Sequence, residues 1–171
     1  MKLPSCFRVL VITLSDRAYR GDYEDISGSR IKEMISGFMA NEKWNSEIRL
    51  EIMPDEADVL REKFATAASD YDLIFTTGGT GIGPRDITVE TVRPFLTREI
   101  PGVMEYIRVK YGSNNPNALL SRGVAGLAGD SLVFTLPGSV KAVEEYMTEI
   151  LRVLKHTLFM LCDIDAHGHG Q

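Results

Sequence analysis

The sequence predicts an α/β fold, a three-layer α/β/α sandwich around a mostly parallel sheet. Three observations carry that prediction. Apolar, β-branched runs alternate along the chain with stretches of helical periodicity, the signature of βαβ units with right-handed crossovers. The first run, residues 7–14 (FRVLVITL), is nearly unbroken and suits a strand covered on both faces. The 171 residues contain no internal repeat and no low-complexity linker, so a single domain with its core over about residues 7–160 is expected.

The elements follow in order. Residues 27–43 place Ile31, Met34, Ile35 and Phe38 at helical spacing, with Ser27 as the expected N-cap. Residues 47–53 alternate Ile48, Leu50 and Ile52 with charged residues, a strand with one solvated face. Asp55 and Glu56 open a second helix whose expected inward positions are Val59, Leu60, Phe64 and Ala67. Residues 71–77 are a short buried strand that ends in a glycine-rich loop. A helix over 88–95 is expected to bend at Pro94, and Pro101 starts another over 101–111. Residues 123–136 hold two extended segments punctuated by glycine. After Pro137-Gly138, residues 139–162 form one long amphipathic helix with Val140, Val143, Met147, Ile150, Leu154 and Leu158 on its apolar face.

Composition narrows the function. Apolar residues make up 44% of the chain, enough for a core, and 24 acidic against 19 basic residues give a net charge of −5. An acidic chain without a basic block is a poor nucleic-acid ligand, because phosphate neutralisation dominates that affinity. No run of about 18 uncharged apolar residues is present, so no membrane span is expected. The N-terminal segment has no leader-like cleavage site, and a reducing, cytoplasmic setting is expected. Cys6 and Cys162 lack metal-type spacing and are expected as free thiols. His167 and His169 in the tail could chelate a metal only adventitiously.

In open α/β sheets, ligands bind beyond the carboxyl ends of the strands. Four loops fall there: Ser15-Asp16-Arg17, Pro54-Asp55-Glu56, residues 76–86 and Pro137-Gly138-Ser139. Thr77, Gly78, Gly79, Thr80 and Gly81 form a loop whose successive N–H groups can cradle an anion, assisted by hydroxyls. It has neither the Gly-Lys-Ser/Thr of a Walker loop nor the glycine spacing of a dinucleotide fingerprint. A tight turn that needs glycine for its geometry is the alternative, but four glycines flanked by threonines and followed by Arg85-Asp86 favour anion binding.

Asp86 is the informative residue. Beside a phosphate it would be repelled by roughly 4 kcal/mol at about 4 Å and an effective dielectric near 20. A Mg²⁺ shared with the phosphates would remove that conflict, with Asp55 as the second carboxylate. Both aspartates could equally be helix N-caps. Arg85 could meet phosphate or pair with Asp86. Ser121, Arg122 and Ser131 flank the glycine-punctuated segments and, taken alone, read as surface loop residues. Gly138 and Ser139 precede a helix N-terminus with free N–H donors.

VITLSDR, MPDE, TTGGTGIGPRDITVE, LLSRGVAG and LPGSVKAV occur together and in order, and they resemble the molybdopterin adenylyltransferases of the Mog type and the similar MoaB proteins. The domain is shared with gephyrin and other two-domain relatives, and the resemblance covers about residues 7–160. It implies a molybdopterin-binding α/β/α fold and a homotrimer. It also implies transfer of an adenylyl group from Mg-ATP to the terminal phosphate of molybdopterin, with the product passed to a downstream molybdenum-insertion protein. By position it implies catalytic, Mg²⁺-holding roles for Asp55 and Asp86. It implies substrate contacts for Ser15, Asp16, Thr77, Gly78, Gly79, Thr80, Gly81, Ser121, Arg122, Ser131, Gly138 and Ser139. The chain departs from the commoner family motifs at Ile82-Gly83, at Val89 and at Val140 after LPGS, none of which removes a carboxylate or a loop glycine. A non-catalytic molybdopterin carrier, or another phosphate-ester enzyme on the same fold, is the alternative.

Overall fold

The computed structural model describes residues 3–164. The His167 and His169 tail lies outside the described residues. Six strands form one sheet in the order β2-β1-β3-β6-β5-β4. β1 (Phe7–Leu14), β2 (Ser46–Met53), β3 (Leu73–Thr77) and β6 (Ser131–Leu136) run parallel. β5 (Ala125–Ala128) turns back antiparallel to β6, and the two-residue β4 (Arg98–Glu99) is antiparallel to β5. The expected sandwich therefore has a parallel half, and its strand ends carry the loops of interest.

Helices cover both faces. On one side α2 (Ile26–Asn41), α5 (Pro101–Gly112) and α6 (Val140–Leu161) pack Ile31, Ile107, Val143 and Ile150 against Val9, Val11, Phe75 and Phe134. On the other, α3 (Ala57–Asp70) and α4 (Thr88–Val92) bury Leu60, Phe64 and Val92 against Leu10, Ile12 and Ile74. The period-two alternation of β1 thus feeds two cores, which is why its sequence reads as continuously apolar.

Some local expectations change. Asp25, not Ser27, caps α2: its carboxylate accepts from Gly28 N at 2.9 Å, from Thr13 Oγ1 at 2.6 Å and from Ser27 Oγ at 3.0 Å. A carboxylate two residues upstream satisfies three donors where a serine hydroxyl would satisfy fewer. Leu50 and Ile52 are more than a third exposed because β2 is an outermost strand, and Val59 on α3 is exposed as well. The helix expected over 88–95 ends at Val92, and Pro94 sits in a 3₁₀ turn. A four-residue helix α1 (Asp16–Tyr19) follows β1, too short to produce periodicity. Both cysteines are free thiols. Among the described residues, no helix is long and apolar enough to cross a membrane.

Candidate active site

The glycine loop is shaped by what it passes. Gly78 has φ +97° and Gly79 φ +65°, a region that side-chain-bearing residues avoid. A Cβ on Gly78 would lie 2.3 Å from the Leu14 carbonyl oxygen, and one on Gly79 would lie 2.3 Å from Thr88 Oγ1. Thr88 fixes the turn from below: its hydroxyl donates to Gly78 O at 2.8 Å and its N–H to Gly79 O at 3.1 Å. Arg122 braces the far side, with Nε donating to Gly81 O at 2.6 Å and Nη2 to Asp86 O at 3.1 Å. Its Nη1 is held by Glu90. Thr77 Oγ1 donates to Pro137 O at 2.8 Å, which joins the end of β3 to the turn before α6.

Among the described residues, cavities adjoin this loop on two sides. One, of about 450 Å³, lies between residues 78–81, the 3₁₀ turn Pro116–Leu120 and the first turns of α6. The other, of about 440 Å³, lies towards α3 and carries Arg61, Arg122 and Glu90. Asp86 lines both. The first cavity contains no lysine or arginine among the described residues that line it.

Asp55 follows β2 and Asp86 lies beyond β3, two strands that are not neighbours. β1 separates β2 from β3, and the loop after β1 stands between the two acids. There Asp16 N donates to Asp55 Oδ2 at 3.1 Å and Asp55 N to Asp16 Oδ1 at 3.0 Å, a reciprocal pair. Arg85 pairs with Asp16 rather than Asp86. Asp86 accepts from Gly83 N at 2.7 Å. Partial burial raises the Asp55 pKa above its ordinary value, and the nearby Asp16 and Asp86 charges add to the effect. Asp55 and Asp86 therefore share an electrostatic neighbourhood, although Asp55 lines neither cavity. No group of three or more His, Cys, Asp or Glu suited to a metal occurs among the described residues. Asp55, whose ionised form is disfavoured, and Asp86 fit a Mg²⁺ that arrives with phosphate oxygens and water, not a cation caged by protein alone.

The structure brings Gly78, Gly79, Thr80, Gly81, Ser121, Gly138 and Ser139 to one cavity wall. Ser15 caps α1 through a bond from Ala18 N at 3.2 Å and meets the Tyr23 hydroxyl at 2.9 Å. Thr77 is fully buried as a tie, and Arg122 is a brace on main-chain carbonyls. Ser131 is a correction. It starts β6, at the opposite end of the sheet, and its buried hydroxyl donates to the carbonyls of Ala68 and Tyr71. It is a structural tie far from the glycine loop. Sequence reasoning missed Asn115, Asn117, Glu145 and Tyr146, which also line the first cavity. The Asn-Pro-Asn turn signal could have flagged the asparagines. Nothing separates Glu145 and Tyr146 from an ordinary amphipathic helix.

Comparison with known proteins agrees with this architecture. A family model described as "Probable molybdopterin binding domain" matches residues 10–156. Molybdopterin adenylyltransferase of Helicobacter pylori J99 is 35% identical over 153 residues, covering 88% of this chain and 85% of that protein. The Pyrococcus furiosus protein of the same name is 37% identical over 163 residues, covering 90% and 92%. The molybdenum cofactor synthesis protein cinnamon of Drosophila melanogaster is 36% identical over 155 residues, but the match spans only a quarter of its length. Among solved structures, the molybdopterin biosynthesis enzyme MoaB of Thermus thermophilus superposes with a TM-score of 0.81 at 38% identity, covering 92% of this chain and 97% of that one. The chain belongs to the molybdopterin-binding domain family that includes the Mog and MoaB proteins.

Proposed function

We propose that this protein transfers the adenylyl group of ATP to the terminal phosphate of molybdopterin. A phosphate oxygen of molybdopterin attacks the α-phosphorus of ATP. The bond from that phosphorus to the pyrophosphate oxygen breaks, giving adenylylated molybdopterin and pyrophosphate. The observation that carries this reading is that Asp86 lines two cavities, one with Arg61 and Arg122 and the other without lysine or arginine. A two-substrate transfer needs such adjoining seats. The cavity that carries Arg61 and Arg122, paired with Asp58 and Glu90, is the better seat for the polyanionic nucleotide, and the one without lysine or arginine suits the uncharged head of molybdopterin. The names of the relatives support the same reaction.

Transfer of this kind is mostly positioning and charge stabilisation. The N–H groups of the glycine loop orient phosphate oxygens where the two cavities meet. Arg122 keeps the loop rigid, and Arg61 draws the nucleotide's phosphates towards α3. Asp55 and Asp86 would hold Mg²⁺, which when bound supplies the positive charge that offsets phosphate repulsion. The working form is a homotrimer in the cytoplasm, and the product goes to a downstream molybdenum-insertion protein. Sedimentation of the purified protein should give the mass of three chains.

Pyrophosphate release in the presence of molybdopterin and Mg-ATP tests the reaction. Asp86→Asn and Asp55→Asn should each lower turnover at least about a hundredfold, the scale of losing transition-state charge stabilisation. Molybdopterin binding should be largely retained in both. Wild-type turnover in either variant removes that residue from the mechanism. Binding without any pyrophosphate release from the unmodified protein makes it a carrier.

A further inference from the structure

One arginine joins the loops that carry the two proposed catalytic acids. Arg85 precedes Asp86 in the loop after β3, and its Nη2 donates to Asp16 Oδ2 at the start of α1, just after β1. The other oxygen of that carboxylate, Oδ1, accepts from Asp55 N at 3.0 Å. Asp16 is therefore shared. One oxygen fixes the backbone of Asp55, and the other holds the guanidinium of Arg85. The charges around this pair are unbalanced: Asp16 and Asp86 act against the ionised form of Asp55, and Arg85 acts in its favour.

Two roles suit such a cation. It could be a latch that sets the spacing of the loops, or a counter-ion kept beside the acids and given up to a stronger anion. The exposure of the pair decides between them. The Arg85 side chain is 64% exposed and that of Asp16 28%, and ion pairs so open to water contribute little to stability. The loops are also held without it. Asp16 N donates to Asp55 Oδ2 at 3.1 Å, and Arg122 Nη2 donates to Asp86 O at 3.1 Å. Arg122 is the contrast: its guanidinium is committed to Gly81 O, Asp86 O and Glu90, so releasing it would loosen the loop. Releasing Arg85 would not. A polyphosphate offers a guanidinium paired oxygens of higher charge than one carboxylate. Arg85 itself lines neither cavity, but its neighbour Asp86 lines both, so phosphates seated there fall within the sweep of the Arg85 side chain.

We propose that Arg85 is a transferable counter-ion, held beside the acids by Asp16 and passed to the phosphate oxygens of ATP as the nucleotide binds. Asp16 is then a positioning residue and not a substrate contact. This inference rests on the reading that ATP is the co-substrate.

Calorimetric titration of ATP into the full-length protein at low salt tests it, once with a chelator and once with excess Mg²⁺. With the chelator, Arg85→Gln should weaken ATP about threefold or more, the scale of one exposed ion pair. Asp16→Asn should strengthen ATP by a similar factor, because its amide oxygen still accepts from Asp55 N while the arginine is set free. Both effects should shrink in Mg²⁺, which supplies the missing charge. The two variants break the same ion pair, so a latch requires that both weaken ATP. Two losses overturn the proposal, and so does an unchanged affinity in Arg85→Gln. Arg85→Lys keeps the charge and should stay closer to the unmodified protein than Arg85→Gln does; equal losses in the two variants also count against it. Asp16→Asn should gain less when Arg85→Gln is already present. An equal gain in both backgrounds means that Asp16 only repels the nucleotide, and the proposal fails. Pyrophosphate release with molybdopterin and Mg-ATP separates this inference from the reading beneath it. If the unmodified protein releases pyrophosphate while the opposite signs are missing, adenylyl transfer stands and the role of Arg85 falls. If the unmodified protein neither binds ATP nor releases pyrophosphate, both fall.

Discussion

Asp55, the carboxylate proposed for catalysis, weakens the fold that holds it. Burial and the charges of Asp16 and Asp86 disfavour its ionised form, outweighing its bond from Asp16 N. A carboxyl whose folded pKa is raised favours the folded state below its unfolded pKa, and that advantage is lost as pH rises through the folded value. At neutral pH the charge is therefore a burden. Asp55→Asn, which keeps an acceptor for Asp16 N, should raise Tm at pH 7 by about 1–2 °C while abolishing turnover, and the Tm gap should narrow as the buffer is acidified towards pH 4. Thermal unfolding at several pH values measures this. A lower Tm for the variant at neutral pH contradicts the account. The acid limb of the rate profile should likewise lie above the range of an ordinary aspartate. The carboxylate itself was legible from its position after β2. Its partner was not, because the reciprocal bonds with Asp16 join residues 39 positions apart.

At the scale of elements, the glycine loop is the most constrained piece of backbone. Gly78→Ala places a Cβ against the Leu14 carbonyl in a left-handed conformation, and it should cost about 2 kcal/mol or more in denaturant unfolding. Gly37→Ala, with open space around its Cβ position in the middle of α2, should instead be neutral or slightly stabilising. If both substitutions behave alike, the loop's geometry is not what demands glycine. Buried parallel strands and the long α6 announce themselves in sequence because two apolar cores impose their periodicity. Helix α1 and strand β4 do not, since four and two residues are too few to carry a period. Ser27 misled because serine and aspartate are both good caps, and only the position of Thr13 on a distant strand decides between them. Glu145 and Tyr146 were hidden for the opposite reason: α6 reads so clearly as a core helix that its cavity-facing residues carry no separate mark.

For the molecule as a whole, α5 and α6 are fastened by one buried acid. Glu149 is 4% exposed and accepts from Lys110 at 2.5 Å, Arg152 at 2.8 Å and the Tyr111 hydroxyl at 3.2 Å. The Lys110 bond is the main cause that holds its carboxyl below the ordinary 4.5. For a lowered carboxyl the stabilising effect is complete above the unfolded pKa and is lost as pH falls through the folded one. Glu149→Gln should therefore destabilise the protein by about 1–2 kcal/mol at pH 7, with the penalty vanishing in strong acid. Denaturant titrations at pH 7 and pH 3 check the sign, and a penalty that grows on acidification refutes it. Because α6 and its cap Ser139 also line the cavity, through Glu145 and Tyr146, loosening the helix should reach that cavity as well.

The Arg122 brace has one more consequence. Its guanidinium grips two main-chain oxygens, at Gly81 and Asp86, so the loop takes its form from the rest of the chain and not from a visitor. An incoming phosphate meets a mould already cast. Little ordering remains to be done on arrival, and association should be quick and show only a small heat-capacity change.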